Sequence, residues 1–359
     1  MLQSPDKLDY ATKRDQSVNR WSAARLLLTI AAGALLWATV AAACLCIGSN
    51  GEVGWPADPN VRAFRKEVVL LASLVGASLG AAGVVYQAIL RNPLADPYLL
   101  GVSSGASLMA YVWRFPFVAT MGGSMLAAMS GAMSQQAFAF AGALAAIALV
   151  LLLGSRRGRL EPVTVLLVGV IVNAINGSIF LLLNARFPEV TAGAGGAFAF
   201  LVGGIQTSLL PVQEKIAALI AGVGWLVLLY LSGQLNVAML SEGEAQALGT
   251  RIQRVRWAGL VVASIVTAAA VAISGPIGFI GLICPHLARM MFGADQRRLL
   301  PWSTAFGAAL LAAADAVSRL LAGQRFVSTL LPVGVLTALL GAPFFLQLLW
   351  QRGRGAEES

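Results

Sequence analysis

The sequence predicts an all-α polytopic membrane protein with about ten transmembrane helices, some of them short and broken, and three observations carry that prediction. Hydrophobic residues make up 58% of the 359 and charged residues 11%, with a mean hydropathy of +0.78, whereas a soluble domain carries about 25% charged residues. Apolar segments follow one another along the chain, several of them reaching the roughly 20 residues that a bilayer requires. Basic residues gather in alternate connections, as the positive-inside rule expects.

The apolar segments lie at 25–48, 67–90, 97–113, 117–154, 162–184, 216–236, 256–274, 276–291, 301–321 and 330–350. With the N-terminus cytoplasmic, Arg91, the cluster Arg156, Arg157 and Arg159, the run Arg251, Arg254 and Arg256, and Arg297 and Arg298 all fall inside, together with both chain ends. Arg62, Arg65, Lys66, Arg114, Arg186, Lys215, Arg319 and Arg325 fall outside or near the outer face. An even number of spans with both termini inside fits, and the net charge of +9 needs no nucleic-acid partner.

Residues 1–22 are polar and read as a cytoplasmic tail. The first apolar run follows basic residues and contains Ala41-Ala42-Ala43-Cys44, which resembles a secretory leader. It exceeds the 7–15 residues or so of a signal h-region, so it reads as a retained helix. In the second segment Gly76 and Gly80, and after it Gly101 and Gly105, have the four-residue spacing that lets helix backbones approach closely in lipid.

Between the second and third segments stands Arg91-Asn92-Pro93-Leu94-Ala95-Asp96-Pro97, running on into Leu100-Gly101-Val102-Ser103-Ser104-Gly105. Two prolines and three polar side chains interrupt apolar sequence where unpaired backbone groups cost several kcal/mol each. The segments starting at Pro97 and Pro276 are short and must be surrounded by protein. Residues 191–204, rich in Gly and Ala, read as a partial or re-entrant helix on the outer side. After the sixth segment, Leu240-Ser241-Glu242-Gly243-Glu244-Ala245-Gln246-Ala247-Leu248-Gly249 spells a short helix: Ser241 as N-cap, Glu242 and Glu244 at the positive end, Gly249 as the stop. A helix so short needs a packing partner; the bland alternative is a solvated loop. Asp315 and Arg319, four apart on one helical face, are placed to pair.

Chemistry is sparse. None of the four lysines follows a glycine, so no Gly-Lys-Ser/Thr phosphate loop exists and any ATP must be hydrolysed by a partner. Cys44, Cys46 and Cys284 with the single His286 do not make a four-ligand structural metal site by themselves; the bland reading is small residues packed in helices. His286 reads as a structural hydrogen-bonding group beside Pro285.

Four stretches resemble, in order, the permease subunits of ABC importers for iron chelates, haem and vitamin B12, the FecCD-type family. They are the Arg91–Gly105 motif, Gly275-Pro276-Ile277-Gly278-Phe279-Ile280-Gly281-Leu282-Ile283-Cys284-Pro285-His286, Ala314-Asp315-Ala316-Val317-Ser318-Arg319, and Leu331-Pro332-Val333-Gly334 running on to Phe345. The resemblance covers about residues 65–352. It implies a fold of the vitamin B12 permease type, with residues 23–351 as one transmembrane permease domain, 237–254 as a cytoplasmic coupling segment and 352–359 as a second cytoplasmic tail. It also implies a homodimer in the inner membrane, two ATP-binding subunits that hold the ATP and magnesium, and a soluble substrate-binding protein, with no cofactor or catalytic residue on this chain.

By the same resemblance Glu242, Glu244, Ala245, Leu248 and Gly249 face the ATPase. Asn92 and Leu94 match a cytoplasmic gate, whose companion small polar pair falls here on Pro162 and Val163. Asn173 and Asn176 lie along the translocation path. Arg65 receives acidic residues of the binding protein, with Val68 standing where the family places a second arginine; Arg325 is an extra arginine in a loop longer than the family's, and its place in an outer loop, not the resemblance, puts it beside Arg65 as a docking charge. The alternative is an ion-gradient-driven secondary transporter, which requires carboxylates at mid-membrane, and apart from Asp315 no Asp or Glu interrupts the centre of an apolar segment.

Overall fold

The computed structural model describes residues 23–48, 53–115, 135–156, 158–188, 203–205, 211–239, 252–322 and 331–357. Among these residues there are ten α-helices: α1 (Ala23–Leu45), α2 (Pro59–Ile89), α3 (Val102–Val112), α4 (Gln135–Leu153), α5 (Pro162–Arg186), α6 (Pro211–Ala238), α7 (Ile252–Ser274), α8 (Ile280–Phe292), α9 (Gln296–Ala322) and α10 (Val333–Glu357). A single 3-10 turn, Pro97–Leu100, precedes α3, and a two-stranded antiparallel hairpin, β1 (Ser155–Arg156) and β2 (Arg159–Leu160), links α4 to α5. Seven of the helices are long and apolar enough to cross a membrane, and α3, α8 and part of α10 form shorter apolar helices.

Each helix matches one apolar segment of the sequence, with different ends. Asp58 caps α2 by accepting the Asn60 N–H at 2.8 Å, with Pro59 in the first turn, so that helix starts eight residues before its apolar run. The last helix continues past residue 352 to Glu357. The re-entrant helix expected over 191–204 lies almost wholly outside the described residues.

The bundle is organised around α2 and α7, the two most enclosed spans, while α1 and α5 are largely uncovered. A long apolar helix left open in this way suits lipid or another apolar protein face. The closest packing is of α2 on α9, and α2 also meets α6, α7 and α8. Its glycines explain the intimacy: a Cβ on Gly76 would overlap the Gly307 carbonyl, and one on Gly80 the Ser303 carbonyl. Gly105 and Gly142 bring α3 and α4 together in the same way.

Two arginines close one end of the bundle. Arg65 Nη1 donates to the carbonyls of Leu45 and Gly54 at 3.2 and 3.1 Å, and Arg319 Nη1 to Ile47 O at 2.9 Å. Both therefore hold the connection between α1 and α2, and Arg319 also pairs with Asp315 at 2.9 Å, as the i,i+4 spacing predicts.

Candidate functional site

The interrupted stretch after α2 becomes a compact polar junction. Leu90 caps α2, and Arg91 takes a left-handed conformation at φ 50°. Asn92 Oδ1 accepts the Leu94 N–H at 2.9 Å while its carbonyl accepts the Ala95 N–H at 3.0 Å, so the side chain builds the turn. Asp96 then caps the 3-10 turn, Oδ1 accepting the Tyr98 N–H at 3.1 Å. Gly101, at φ 82°, supplies the left-handed step into α3.

The other carboxylate oxygen of Asp96 reaches across the bundle and accepts the Phe279 N–H at 3.0 Å. Phe279 is the N-cap of α8 and is itself left-handed at φ 69°, without a side-chain cap of its own. One buried aspartate thus serves the starts of two broken segments, which meets the requirement that backbone at membrane depth be satisfied by protein. A second repair lies one turn further along. Pro285 has no N–H for the Gly281 carbonyl four residues earlier, and Gln87 Nε2 approaches Gly281 O at 3.4 Å and Leu282 O at 3.5 Å. Gln87 Oε1 in turn accepts from Arg289 Nη2 at 3.0 Å.

Beside this junction is a cavity of about 950 Å³, bounded by Leu94, Asp96, Tyr98 and Leu99, by Pro276, Gly278, Phe279 and Leu282 at the start of α8, and by Gly334, Val335, Ala338, Leu339 and Phe345 of α10. Its wall is overwhelmingly apolar. Its size and apolar lining, with the Asp96 carboxylate as a polar group, are those of a small-molecule site.

The expected site residues divide into groups. Leu94 lines the cavity and Asn92 shapes the turn that presents it. Asn173 Nδ2 donates to the carbonyls of Tyr98 and Leu99 at 3.1 and 3.2 Å, and Asn176 Nδ2 to Ser104 Oγ at 3.1 Å. These two amides therefore brace the segment behind the cavity wall. Arg65, expected at an outer docking surface, is only 7% exposed and its guanidinium is engaged by Leu45 and Gly54. Its neighbours Arg62 and Lys66 are exposed, because the helix turns Arg65 toward the α1–α2 connection and leaves the flanking positions facing outward. Glu242, Glu244, Ala245, Leu248, Gly249 and Arg325 lie outside the described residues. Pro162 opens α5 and Val163 follows it, exposed. His286 meets the Phe344 ring edge to face at 5.8 Å.

Sequence reading missed Asp96, Gln87 and Arg91 as working parts. Asp96 had a local signal, an N-cap residue immediately before a proline. Gln87 had a subtler one, a lone amide in an apolar helix paired with a proline in another. Among the described residues no three His, Cys, Asp or Glu side chains come together as a metal site.

Comparison with known proteins places this geometry. The model of the FecCD transport family matches residues 26–351. The cobalamin import system permease protein BtuC of Halobacterium salinarum is 39% identical over 81% of this chain and 73% of its own. The hemin transport system permease protein HmuU of Yersinia pestis is 36% identical over 84% and 85%. The ferric enterobactin transport system permease protein FepD of Escherichia coli is 37% identical over 80% of each. A solved metal-chelate type ABC transporter in an inward-facing conformation superposes with a TM-score of 0.72 at 28% identity, over 90% of this chain and 99% of that one.

Proposed function

The chain belongs to the FecCD transport family, and from that premise we propose that it is the permease subunit of a binding-protein-dependent ABC importer, moving an iron complex, as siderophore or haem, or cobalamin. It is a transport subunit and not an enzyme. The observation that carries the reading is the broken-helix junction at Asp96 and Phe279 beside the apolar cavity of about 950 Å³. It supplies irregular but satisfied backbone around an apolar-walled space in the size range of small-molecule sites.

Transport then consists of switching that space between outward-open and closed or inward-open states, driven by the differential affinity of a partner for each state. The partner is a pair of ATP-binding subunits holding ATP and magnesium, since this chain has no phosphate loop. Residues 242–249 meet those subunits, and a soluble binding protein delivers cargo on the opposite face, near the exposed Arg62 and Lys66. A second copy completes the pathway. The exposed apolar residues of α5, among them Leu167, Ile171 and Leu182, and Leu339 and Leu346 of α10 support that placement. The protein lies in the inner membrane with both termini cytoplasmic, which the distribution of basic residues favours.

The test is reconstitution in proteoliposomes with the ATPase and binding protein, offering cyanocobalamin, haemin and ferric enterobactin. ATP-dependent uptake of one cargo is expected, abolished by Ala245→Arg while the complex stays assembled. Uptake that proceeds without the ATPase and follows an ion gradient rejects the reading.

A further inference from the structure

The two helices that flank segment 240–251 are each bonded to the wall of the cavity, by separate routes. α6 ends at Ala238, whose carbonyl belongs to the last turn and has no partner within the helix. Arg91 reaches it with both Nε and Nη2, at 3.4 and 3.3 Å, placing a cation at the negative helix end. Three residues beyond Arg91, Leu94 is in the cavity wall.

On the other flank, α7 begins at Ile252 and its first turns grip the β1–β2 hairpin. Gln253 Oε1 accepts the Leu160 N–H at 3.3 Å, and Trp257 Nε1 donates to Gly158 O at 3.1 Å. The hairpin leads directly into α5, whose Asn173 holds the carbonyls of Tyr98 and Leu99, two further residues of the same wall. A displacement of the α6 end is therefore passed on through the paired Arg91 bonds, and one of the α7 start through the hairpin bonds, the rigid α5 and the Asn173 bonds.

The backbone at Arg91 adds weight. A non-glycine residue held in a left-handed conformation is strained and persists only where its surroundings fix it. Here the fixed element is the link between Leu90, which ends α2, and the turn that carries Leu94.

We propose that Arg91 and Gln253 are positioning residues that carry movement of the end of α6 and the start of α7 to the two sides of the cavity wall. Neither touches cargo. The inference rests on the reading of residues 242–249 as the ATPase-facing part of the 237–254 coupling segment, and it assigns the transmission to side chains other than those, Gln253 within that segment and Arg91 outside it.

The test compares Arg91→Gln and Gln253→Ala with the conservative Arg91→Lys and Gln253→Glu, which keep the cation and the acceptor. Each variant is assembled with the ATPase and binding protein in proteoliposomes and supplied with cyanocobalamin, haemin or ferric enterobactin. The first pair is expected to hydrolyse ATP near the wild-type rate while cargo moved per ATP falls by about fivefold or more, and the conservative pair to recover most of the loss. Transport and hydrolysis that fall in parallel, or a normal ratio in Arg91→Gln and Gln253→Ala, overturn the proposal. A variant that no longer assembles assigns that residue to folding and overturns its part. If the wild-type complex moves none of the three cargoes with ATP, the functional reading itself fails and this inference falls with it.

Discussion

Asp96 accepts the backbone N–H of Phe279 across 183 positions of sequence, at 3.0 Å, while its second oxygen caps the turn at Tyr98. The carboxylate is therefore the point at which the two broken segments of the bundle are joined. Asp96→Ala leaves two donors without their acceptor at a buried site, at roughly 1–3 kcal/mol for each unsatisfied group. Asp96→Asn keeps one carbonyl oxygen and should lose about half as much. Thermal unfolding in detergent, followed by helical circular dichroism, is expected to rank wild type above Asn and Asn above Ala; equal stability of all three would remove Asp96 from this role.

A similar contrast is available among glycines. A Cβ at Gly76 would overlap the Gly307 carbonyl, which is backbone and cannot rotate away, whereas one at Gly222 in α6 meets nothing within 4 Å. Gly76→Ala is expected to separate α2 from α9 and destabilise by about 1–3 kcal/mol, the usual range for overpacking. Gly222→Ala should be neutral or stabilising by up to about 1 kcal/mol through helix propensity. Parallel melting curves of the two variants decide whether close backbone approach or mere helix composition sets the requirement at Gly76.

These two cases also mark what the sequence makes legible. Helix existence is readable because expulsion from water is a property of a whole segment: ten apolar runs correspond in order to ten helices. The break at 91–101 is readable because proline and glycine act on their own backbone. The partner of Asp96 is not, since nothing local at residue 96 refers to residue 279. Arg62 and Arg65 illustrate the same limit at short range. Both stand in the first turns of α2, yet one is exposed and the other buried, and the difference is made by the α1–α2 connection folding back onto the helix. The end of α10 escaped for another reason: hydropathy stops where charge begins, whereas the helix continues through its basic last turns.

Asp315 and Arg319 are both nearly inaccessible, so each is the other's main compensation for leaving water. Removing one partner from such a pair costs about 3–5 kcal/mol, while replacing both with apolar residues of similar size is often near neutral. Arg319 also holds Ile47 O, so its loss releases the α1–α2 connection as well. The expected order of stability is wild type, then the double variant Asp315→Leu/Arg319→Met, then Asp315→Leu, with Arg319→Met showing in addition faster proteolysis between α1 and α2. A double variant no better than the worse single one would mean that the backbone contact, and not the ion pair, dominates.

Exchange of charge along the first turns of α2 separates docking from anchoring. Arg65 is buried with two carbonyl acceptors, so Arg65→Glu places an unpaired carboxylate against the Leu45 and Gly54 oxygens. It should destabilise the α1–α2 end by several kcal/mol whether or not a binding protein is present. Arg62 and Lys66 are exposed on either side, where reversal costs the fold little. Rim charges of this kind act mainly on association rate and its salt dependence. Arg62→Glu and Lys66→Glu are therefore expected to slow binding-protein association at low ionic strength, with the difference closing as salt screens it, and to leave melting temperature unchanged. Stopped-flow association at two salt concentrations, alongside melting curves, tests both halves. If Arg65→Glu slows association without loss of stability while the two flanking variants associate normally, the guanidinium of Arg65 is the docking group and must leave its carbonyl partners to serve it.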